Sequence, residues 1–387
     1  MMISPELAVL LGIAVFWIVL YALSRIVHLE EHGLDVKPFY FMYKSKALNR
    51  ILDVWAKKRR KLWLVLSNIS IAFGVGLMVF GIYFLVDNLL RFIYPIGVAS
   101  PIFPVVPILT IRLYWLPYFF VAVVVIMLTH ELAHGIIARL EEIPVLSTGV
   151  LAAVVFFGAF VEPDEKEFEK ASVLSRLRML AAGSSANFVT ALLALLLLSG
   201  LFAPPAGVLI YEVASDGPLG RSGSPVQRWD VIQAINGTDV LTYEQFSSYM
   251  KGVGPNVTLT LTILLANQRE NITIVTAPSS TNSSRGLIGF DVGFIPVYNP
   301  SRLGLDQYTS VHLSWTLFWI YLLGLSVAIF NMFPLYPFDG ERFLYYPLEK
   351  LVGKQKLNLR KLLNVLFLGL LAGNMILSFV RYGLFPI

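Results

Sequence analysis

The sequence predicts a polytopic α-helical membrane protein of about six transmembrane helices, with a re-entrant β-hairpin and one inserted soluble α+β domain. Two observations predict this. The 387-residue chain is 56% hydrophobic and only 14% charged, too apolar for an ordinary soluble domain, and its apolar residues gather into runs of about 20, the length a helix needs to cross a bilayer. The pattern stops after Pro204-Pro205, and from Ala206 to about Asp306 the chain is polar and alternating before the apolar runs resume. Cysteine is absent, which excludes disulfides and thiolate metal sites. The formal charge of +5 matters less than where the basic residues fall, because short basic loops stay in the cytosol.

The first span covers about Leu7 to Ile26. It is long and has no basic segment before it, so no cleavable signal peptide is expected. A hydrophilic stretch follows with Lys37, Lys44, Lys46, Arg50 and the run Lys57 to Lys61. This is the strongest topological marker in the chain. It places this loop, up to residue 61, in the cytosol and the N-terminus outside. The second span, about Leu62 to Val86, contains Asn68 and several glycines and is expected to pack closely against a neighbour. From Asp87 to Tyr114 the chain is apolar but broken by Pro95, Pro101, Pro104 and Pro107. No clean helix forms there, and an outer interfacial or re-entrant connection is expected, closing a 62–115 segment.

The third span, about Leu116 to Leu140, carries Thr129-His130-Glu131-Leu132-Ala133-His134. Residues four apart share a helix face, so His130 and His134 can offer imidazole nitrogens to one metal ion. Glu131 is then placed to act as a general base on water that the metal activates. Tyr118 to Leu128 carries no charge, and an ionisable cluster in hydrocarbon reads first as a functional site. His130 lies roughly fourteen residues, or about 21 Å, down the span, within the membrane and nearer its inner face.

Thr148 to Val161 is a second apolar run, rich in Val and Phe and bounded by Pro144 and by Glu162-Pro163-Asp164-Glu165. It is shorter than the roughly 17 residues a spanning helix needs. Gly149, Gly158 and the β-branched content suit a re-entrant β-hairpin, whose free edge would hold an extended peptide by strand addition. The alternative is a short membrane helix. The fourth span, about Arg178 to Phe202, carries Gly183-Ser184-Ser185-Ala186-Asn187 near its inner end. Such small residues commonly serve close helix packing; at the depth of His134, Asn187 also fits beside the site.

The soluble insert, 205–306, has an alternating strand from Val257 to Ile263, turns at Asn236-Gly237 and at 252–255, and a helical patch from Tyr243 to Met250. A strand ending in Asn-Gly, then a helix, then two strands resembles a PDZ domain, a fold whose sheet edge binds extended peptides. Asn236, Asn256, Asn271 and Asn282 each head an Asn-x-Ser/Thr sequon, which agrees with an extracytosolic position.

The fifth span, about Val311 to Phe333, ends in Asn331-Met332-Phe333-Pro334-Leu335-Tyr336-Pro337-Phe338-Asp339-Gly340. Two prolines and a glycine break the helix there and leave Asp339 at the depth of His134. A catalytic zinc takes three protein ligands and keeps one position open, and Asp339 is the natural third; alone it would read as an Asp capping a turn. His28, His32 and His312 fall near span ends and do not compete as ligands. A basic segment with Lys350, Lys354, Lys356, Arg360 and Lys361 suits the inner membrane surface. The last span, about Leu362 to Val380, returns the C-terminus outside. The expected organisation is thus 1–61, 62–115, a catalytic core in two parts (116–204 and 307–340) around the 205–306 insert, and 341–387.

His130 to His134, Gly183 to Asn187 and Asn331 to Gly340 together resemble the site-2 protease family of intramembrane zinc metalloproteases. That family shows HExxH, GxxxN and NxxPxxPxDG in this order on three core helices. Phe160 to Asp164 is similar to the segment that follows HExxH in archaeal members, and an inserted PDZ-like domain is a family habit. No motif position departs from the pattern. The resemblance implies one Zn²⁺ held by His130, His134 and Asp339, Glu131 as catalytic base, and Asn187 and Asn331 in substrate positioning or carbonyl polarisation. It implies hydrolysis of peptide bonds within or near the transmembrane segment of membrane-anchored regulatory proteins, as in regulated intramembrane proteolysis. The expected partners are such substrates, bound as extended peptide, and the lipid bilayer, with no nucleic acid. The expected location is the cell membrane, with the active site toward the cytosol and the PDZ-like domain outside. Two other classes compete. A non-catalytic membrane adaptor with a structural metal has no need of Glu131. A metal transporter calls for further acidic or histidine residues along the spans, and the sequence offers few.

Overall fold

The computed structural model describes residues 5–29, 33–94, 97–107, 110–154, 156–279, 282–293, 295–352 and 356–383. His32, Pro95 and Lys354 lie outside these. The chain divides into two compact units: Met1–Leu193 with Trp319–Ile387, and Ala194–Phe318.

In hydrocarbon every backbone N–H and C=O must be paired internally, so long apolar runs fold as helices. The first unit opens with helix α1 (Pro5–Val27), then the short strands β1 (Leu34–Lys37) and β2 (Tyr40–Ser45), helix α2 (Asn49–Lys58) and the long helix α3 (Arg60–Ile93). An irregular proline-rich stretch follows, as expected. Helix α4 (Leu116–Leu140) comes next, then strands β3 (Val145–Ala153) and β4 (Phe156–Pro163), the short helix α5 (Glu165–Lys170) and α6 (Val173–Leu201). The run expected as a re-entrant hairpin forms a β-hairpin, not a helix. The hydrophilic stretch before the second span holds more structure than its composition suggested. Strands β1 and β2 add to the hairpin to make a four-stranded antiparallel sheet, order β1-β2-β3-β4. Strand β2 thereby covers β3 along Tyr40 to Ser45, so within this sheet the edge left to the hairpin is that of β4. Amphipathic α2 buries Leu52 and Ala56 in the same cluster as Ile136, Ile137 and Leu140 of α4. Leucine and isoleucine side chains contribute about 1.5–3 kcal/mol each when fully buried.

The second unit holds strands β5 (Val208–Leu209) and β6 (Glu212–Val213), the single turn α7 (Pro218–Arg221), strands β7 (Val231–Ile235) and β8 (Thr238–Asp239), helix α8 (Tyr243–Lys251), the hairpin β9 (Thr258–Leu265) and β10 (Gln268–Val275), and the short strands β11 (Ala277–Pro278), β12 (Gly286–Leu287) and β13 (Phe290–Asp291). Its main sheet runs β10-β9-β7-β5, with β8 folded back on β7. All five residues of β7 are buried, as a continuous apolar run on a central strand requires. Along β9 the threonines face out and Leu259, Leu261 and Ile263 face in. Helix α8 starts in a capping box between Thr242 and Gln245. The strand, Asn-Gly turn, helix and two strands fall in the order that resembled a PDZ domain. All four sequon asparagines are exposed.

The chain then continues through α9 (Gln307–Asn331), α10 (Asp339–Val352) and α11 (Lys356–Tyr382). Among the described residues five segments are long and apolar enough to cross a membrane: Arg60–Ile93, Leu113–Leu140, Val173–Leu201, Gln307–Asn331 and Asn358–Tyr382, while α1 offers the shorter apolar stretch Leu11–Val27. The protein is a polytopic α-helical membrane protein with a PDZ-like insert.

Candidate metal centre

His130 and His134 sit one turn apart on α4, on the face turned inward, and each residue is 8% exposed. Their rings meet edge to face with Nε2 atoms 3.0 Å apart. Asp339 is the first residue of α10, after a break in which Phe338 N–H donates to Leu335 O. The next residue must be glycine: a Cβ at Gly340 would stand 2.2 Å from the Met332 carbonyl oxygen, so the chain folds back on the end of α9 only there. This fold-back brings Asp339 Oδ2 to 3.2 Å from His134 Nε2 and 3.4 Å from His130 Nε2. Zinc ligands at about 2.0–2.1 Å in a tetrahedron stand about 3.4 Å apart, so the three atoms have the separations a single zinc requires. Among the described residues they form a group of the composition and spacing that can hold a metal ion.

The surroundings orient both rings toward the cluster. His134 Nδ1 lies 2.8 Å from the Met179 carbonyl oxygen. A carbonyl only accepts, so Nδ1 carries the proton and Nε2 presents its lone pair to the cluster. The Asn187 amide lies 3.1 Å from His130 Nδ1, and its other end lies 3.2 Å from Thr129 Oγ1. With the amide oxygen toward the ring it accepts from Nδ1–H and leaves Nε2 free in the same way; Thr129 serves either orientation, since its hydroxyl also reaches the Val125 and Ile126 carbonyls at 3.0 Å. Asn331 Nδ2 is 3.4 Å from His130 Nε2. Gly183 supplies clearance. A Cβ there would fall 2.4 Å from His134 Nε2 and 2.7 Å from His130 Nε2, in the space that faces the ligand atoms.

Glu131, on the same helix, turns toward the sheet, and its Oε2 accepts the backbone N–H of Val161 at 2.8 Å. That amide does not serve β3. Along β4 it faces outward, so the edge of the hairpin and the Glu131 carboxylate meet beside the histidines. The beginning and end of β4 differ in polarity: Glu162 accepts from Lys44 at 2.9 Å and from the Ser147 hydroxyl, and these contacts hold its carboxyl below the usual range.

The structure brings together every residue the sequence singled out: His130, His134, Asp339, Glu131, Asn187 and Asn331. It adds two backbone groups, the Met179 carbonyl and the Val161 amide, for which side-chain identity carries no signal. His312 stands apart, packed against Trp229 and Tyr308 in the second unit.

Fold and site together define a class: a polytopic membrane protein holding the two-histidine, one-carboxylate ligand set that catalytic zinc sites use. The chain belongs to peptidase family M50, whose model matches residues 118–373. It is similar to protein MJ0971 of Methanocaldococcus jannaschii, 27% identical over 333 residues that cover 86% of this chain and 83% of that one. It is also similar to the zinc metalloprotease RasP of Oceanobacillus iheyensis, 25% identical over 240 residues, 50% of this chain and 56% of the other. Among solved structures, the PDZ domain of the SdrC-like protein from Listeria innocua is 23% identical, covers 22% of this chain and 93% of that one, and has a TM-score of 0.20.

Proposed function

We propose that this protein is an intramembrane zinc endopeptidase that cleaves membrane-anchored proteins within or near their transmembrane segments. One observation carries the reading: His130, His134 and Asp339, from two separate stretches of chain, converge to 3.0–3.4 Å beside Glu131 and an outward strand edge. A structural metal has no use for a carboxylate and a peptide-binding edge at the same place.

Zinc, held by His130, His134 and Asp339, would polarise the scissile carbonyl and lower the pKa of the attacking water toward ~7. Glu131 takes the proton from that water at its carboxylate and delivers it to the leaving amine. His134, fixed through the Met179 carbonyl, and His130, fixed through Asn187, keep their Nε2 atoms aimed while charge develops. Asn331 reaches the same side of the centre and positions the substrate. A helical substrate hides its carbonyls in its own hydrogen bonds, so it must unwind, and β4 offers the outward amide of Val161 to hold it extended by strand addition. The substrate's own backbone then competes with Glu131 for that amide, which releases the carboxylate for its work.

The basic residues from Lys37 to Lys61 support a cytosolic position for the segment before α3, and hence a metal centre near the inner face and a PDZ-like domain outside. Cleavage of a bilayer-embedded single-span peptide, dependent on zinc and lost in Glu131→Gln, tests the reading. Zinc-independent cleavage, or none by the zinc-loaded parent across a panel of single-span peptides, would overturn it.

A further inference from the structure

Glu341 lies two residues beyond Asp339 and is 4% exposed, an expensive place for a carboxylate without a partner. Its partner comes from α11. Arg360 forms a two-pronged contact, Nε to Oε1 and Nη2 to Oε2, the second at 2.8 Å. One turn further along α11, Asn364 Nδ2 donates to Glu341 Oε1 at 3.3 Å, and Asn364 Oδ1 accepts the backbone N–H of Tyr336 at 2.7 Å. A single face of α11 therefore grips the chain at Tyr336, in the break between α9 and α10, and at Glu341, in the first turn of α10, and Asp339 lies between them.

The helix that does the gripping is itself fixed. Asn374 Oδ1 accepts from Asn88 of α3 at 3.0 Å, Asn374 Nδ2 donates to the Leu85 carbonyl at 2.9 Å, and the Ser378 hydroxyl accepts the Ile102 N–H at 2.9 Å. On its other side α10 is held by α5, through Arg342 to Glu165 at 2.6 Å and Tyr346 to Glu169 at 2.7 Å. Helix α10 is thus clamped from two directions at the turn that presents Asp339. Packing alone does not call for a buried ion pair there, since apolar residues of the same volume would serve stability as well. A planar guanidinium on a carboxylate does what they cannot, which is to fix direction as well as distance.

We propose that Arg360 and Asn364 are positioning residues for the metal centre: through Glu341 and the Tyr336 amide they set where the Asp339 carboxylate stands relative to the two imidazoles, and so set metal affinity. The proposal rests on the reading of His130, His134 and Asp339 as the ligands. It makes the last helix part of the metal centre's support. Ligands held by such supporting contacts typically lose 10–100-fold in affinity when the support is removed, and a support acting through a turn should give about the lower figure.

The test uses the full chain in detergent or bilayer discs and reads zinc Kd by competition with a chelator of known affinity, on monodisperse folded protein. Arg360→Met and Asn364→Leu should each weaken zinc about tenfold, and Arg360→Lys, which keeps the charge but loses the fork, should recover part of the loss. Asn374→Leu also loosens α11, far from the turn, and should lower the melting temperature while leaving zinc Kd unchanged. Asn364→Leu keeps the ion pair and decides the matter if Arg360→Met does not fold. Parent-like zinc affinity in Asn364→Leu and in folded Arg360→Met would overturn the proposal and leave the metal-centre reading intact. So would an equal loss of affinity in Asn374→Leu, because the role would then be general stability. A parent chain that binds no zinc, or binds it equally well as His134→Ala, would remove the metal-centre reading and the proposal with it.

Discussion

The backbone N–H of Val161 donates to the Oε2 of Glu131 across 2.8 Å. In the proposed mechanism these are the peptide-binding edge and the proton acceptor, and the structure has them in direct contact. The amide faces away from β3, so proline at 161 costs the sheet no ladder hydrogen bond. Val161→Pro should therefore keep the fold and the zinc yet lose an anchoring point for extended substrate. We expect kcat/KM to fall about tenfold or more, carried mainly by KM, which steady-state cleavage of a membrane-embedded peptide would measure. A change confined to kcat would assign the amide to Glu131 alone.

Glu131→Gln removes the proton acceptor but keeps shape and one oxygen to receive the Val161 N–H. Zinc content should stay at one ion per chain, because Glu131 is not among the three converging atoms. Cleavage should fall by about 10²–10⁴, the usual contribution of a general base. Elemental analysis of the same sample as the activity assay separates this outcome from loss of metal.

Replacing His134 or Asp339 by alanine should do the reverse and lower zinc content together with activity. Removal of Asp339 also leaves two imidazoles facing each other with no anion between them. His134→Ala also removes the ring contact of the Met179 carbonyl. Zinc stoichiometry after gel filtration in weak chelator checks both; unchanged stoichiometry in either variant would strike that residue from the ligand set.

Much of this architecture could be read from the chain because it rests on patterns longer than a turn. The helix carrying His130 and His134 was expected over Leu116 to Leu140 and runs over those residues, since an uninterrupted apolar run in a bilayer has little choice but helix. The break after Asn331 was legible from Pro334, Pro337 and Gly340. Strands β1 and β2 were not. They have four and six residues, too few for periodicity to register, and they exist because β3 offers them an edge. The Met179 carbonyl and the Val161 amide were illegible for a different reason: any residue supplies them. Arg360 was read as one more inner-surface cation, because nothing local announces that its partner is a buried carboxylate nineteen residues away.

The second unit should respond to pH through Asp230. It is buried, and desolvation raises its carboxyl from the ordinary 3.8 to about 6, against a smaller opposing effect of the Gln227 N–H that it accepts. A pKa higher in the folded than in the unfolded chain means the folded state binds the proton more tightly. The stabilisation is complete below about pH 4 and is lost as pH rises through 6. Lowering the pH from 7 to 5 should raise the amide protection factors across 206–306, that is, exchange relative to its own pH-dependent intrinsic rate, by roughly tenfold at most. Asp230→Asn, which keeps an acceptor for the Gln227 N–H, should flatten the dependence.

Gly183→Ala sets a steric limit against a gain in helix propensity. In a helix interior alanine is favoured over glycine by about 0.5–1 kcal/mol, and at Gly76 of α3, where an added Cβ meets nothing within 4 Å, that gain should appear as a slightly higher melting temperature. At Gly183 the same methyl would lie 2.4 Å from His134 Nε2 and 2.6 Å from His130 Cε1. Both rings are held from behind, by the Met179 carbonyl and by Asn187, so neither retreats without breaking the contact that aims it. Steric exclusion exceeds propensity here, and the damage falls on the ligand atoms. Gly183→Ala should therefore weaken zinc binding by at least about tenfold and abolish cleavage, while Gly76→Ala retains both. Chelator competition and melting curves on the two variants would measure this, and parent-like zinc affinity in Gly183→Ala would show that α6 does not set the clearance around the histidines.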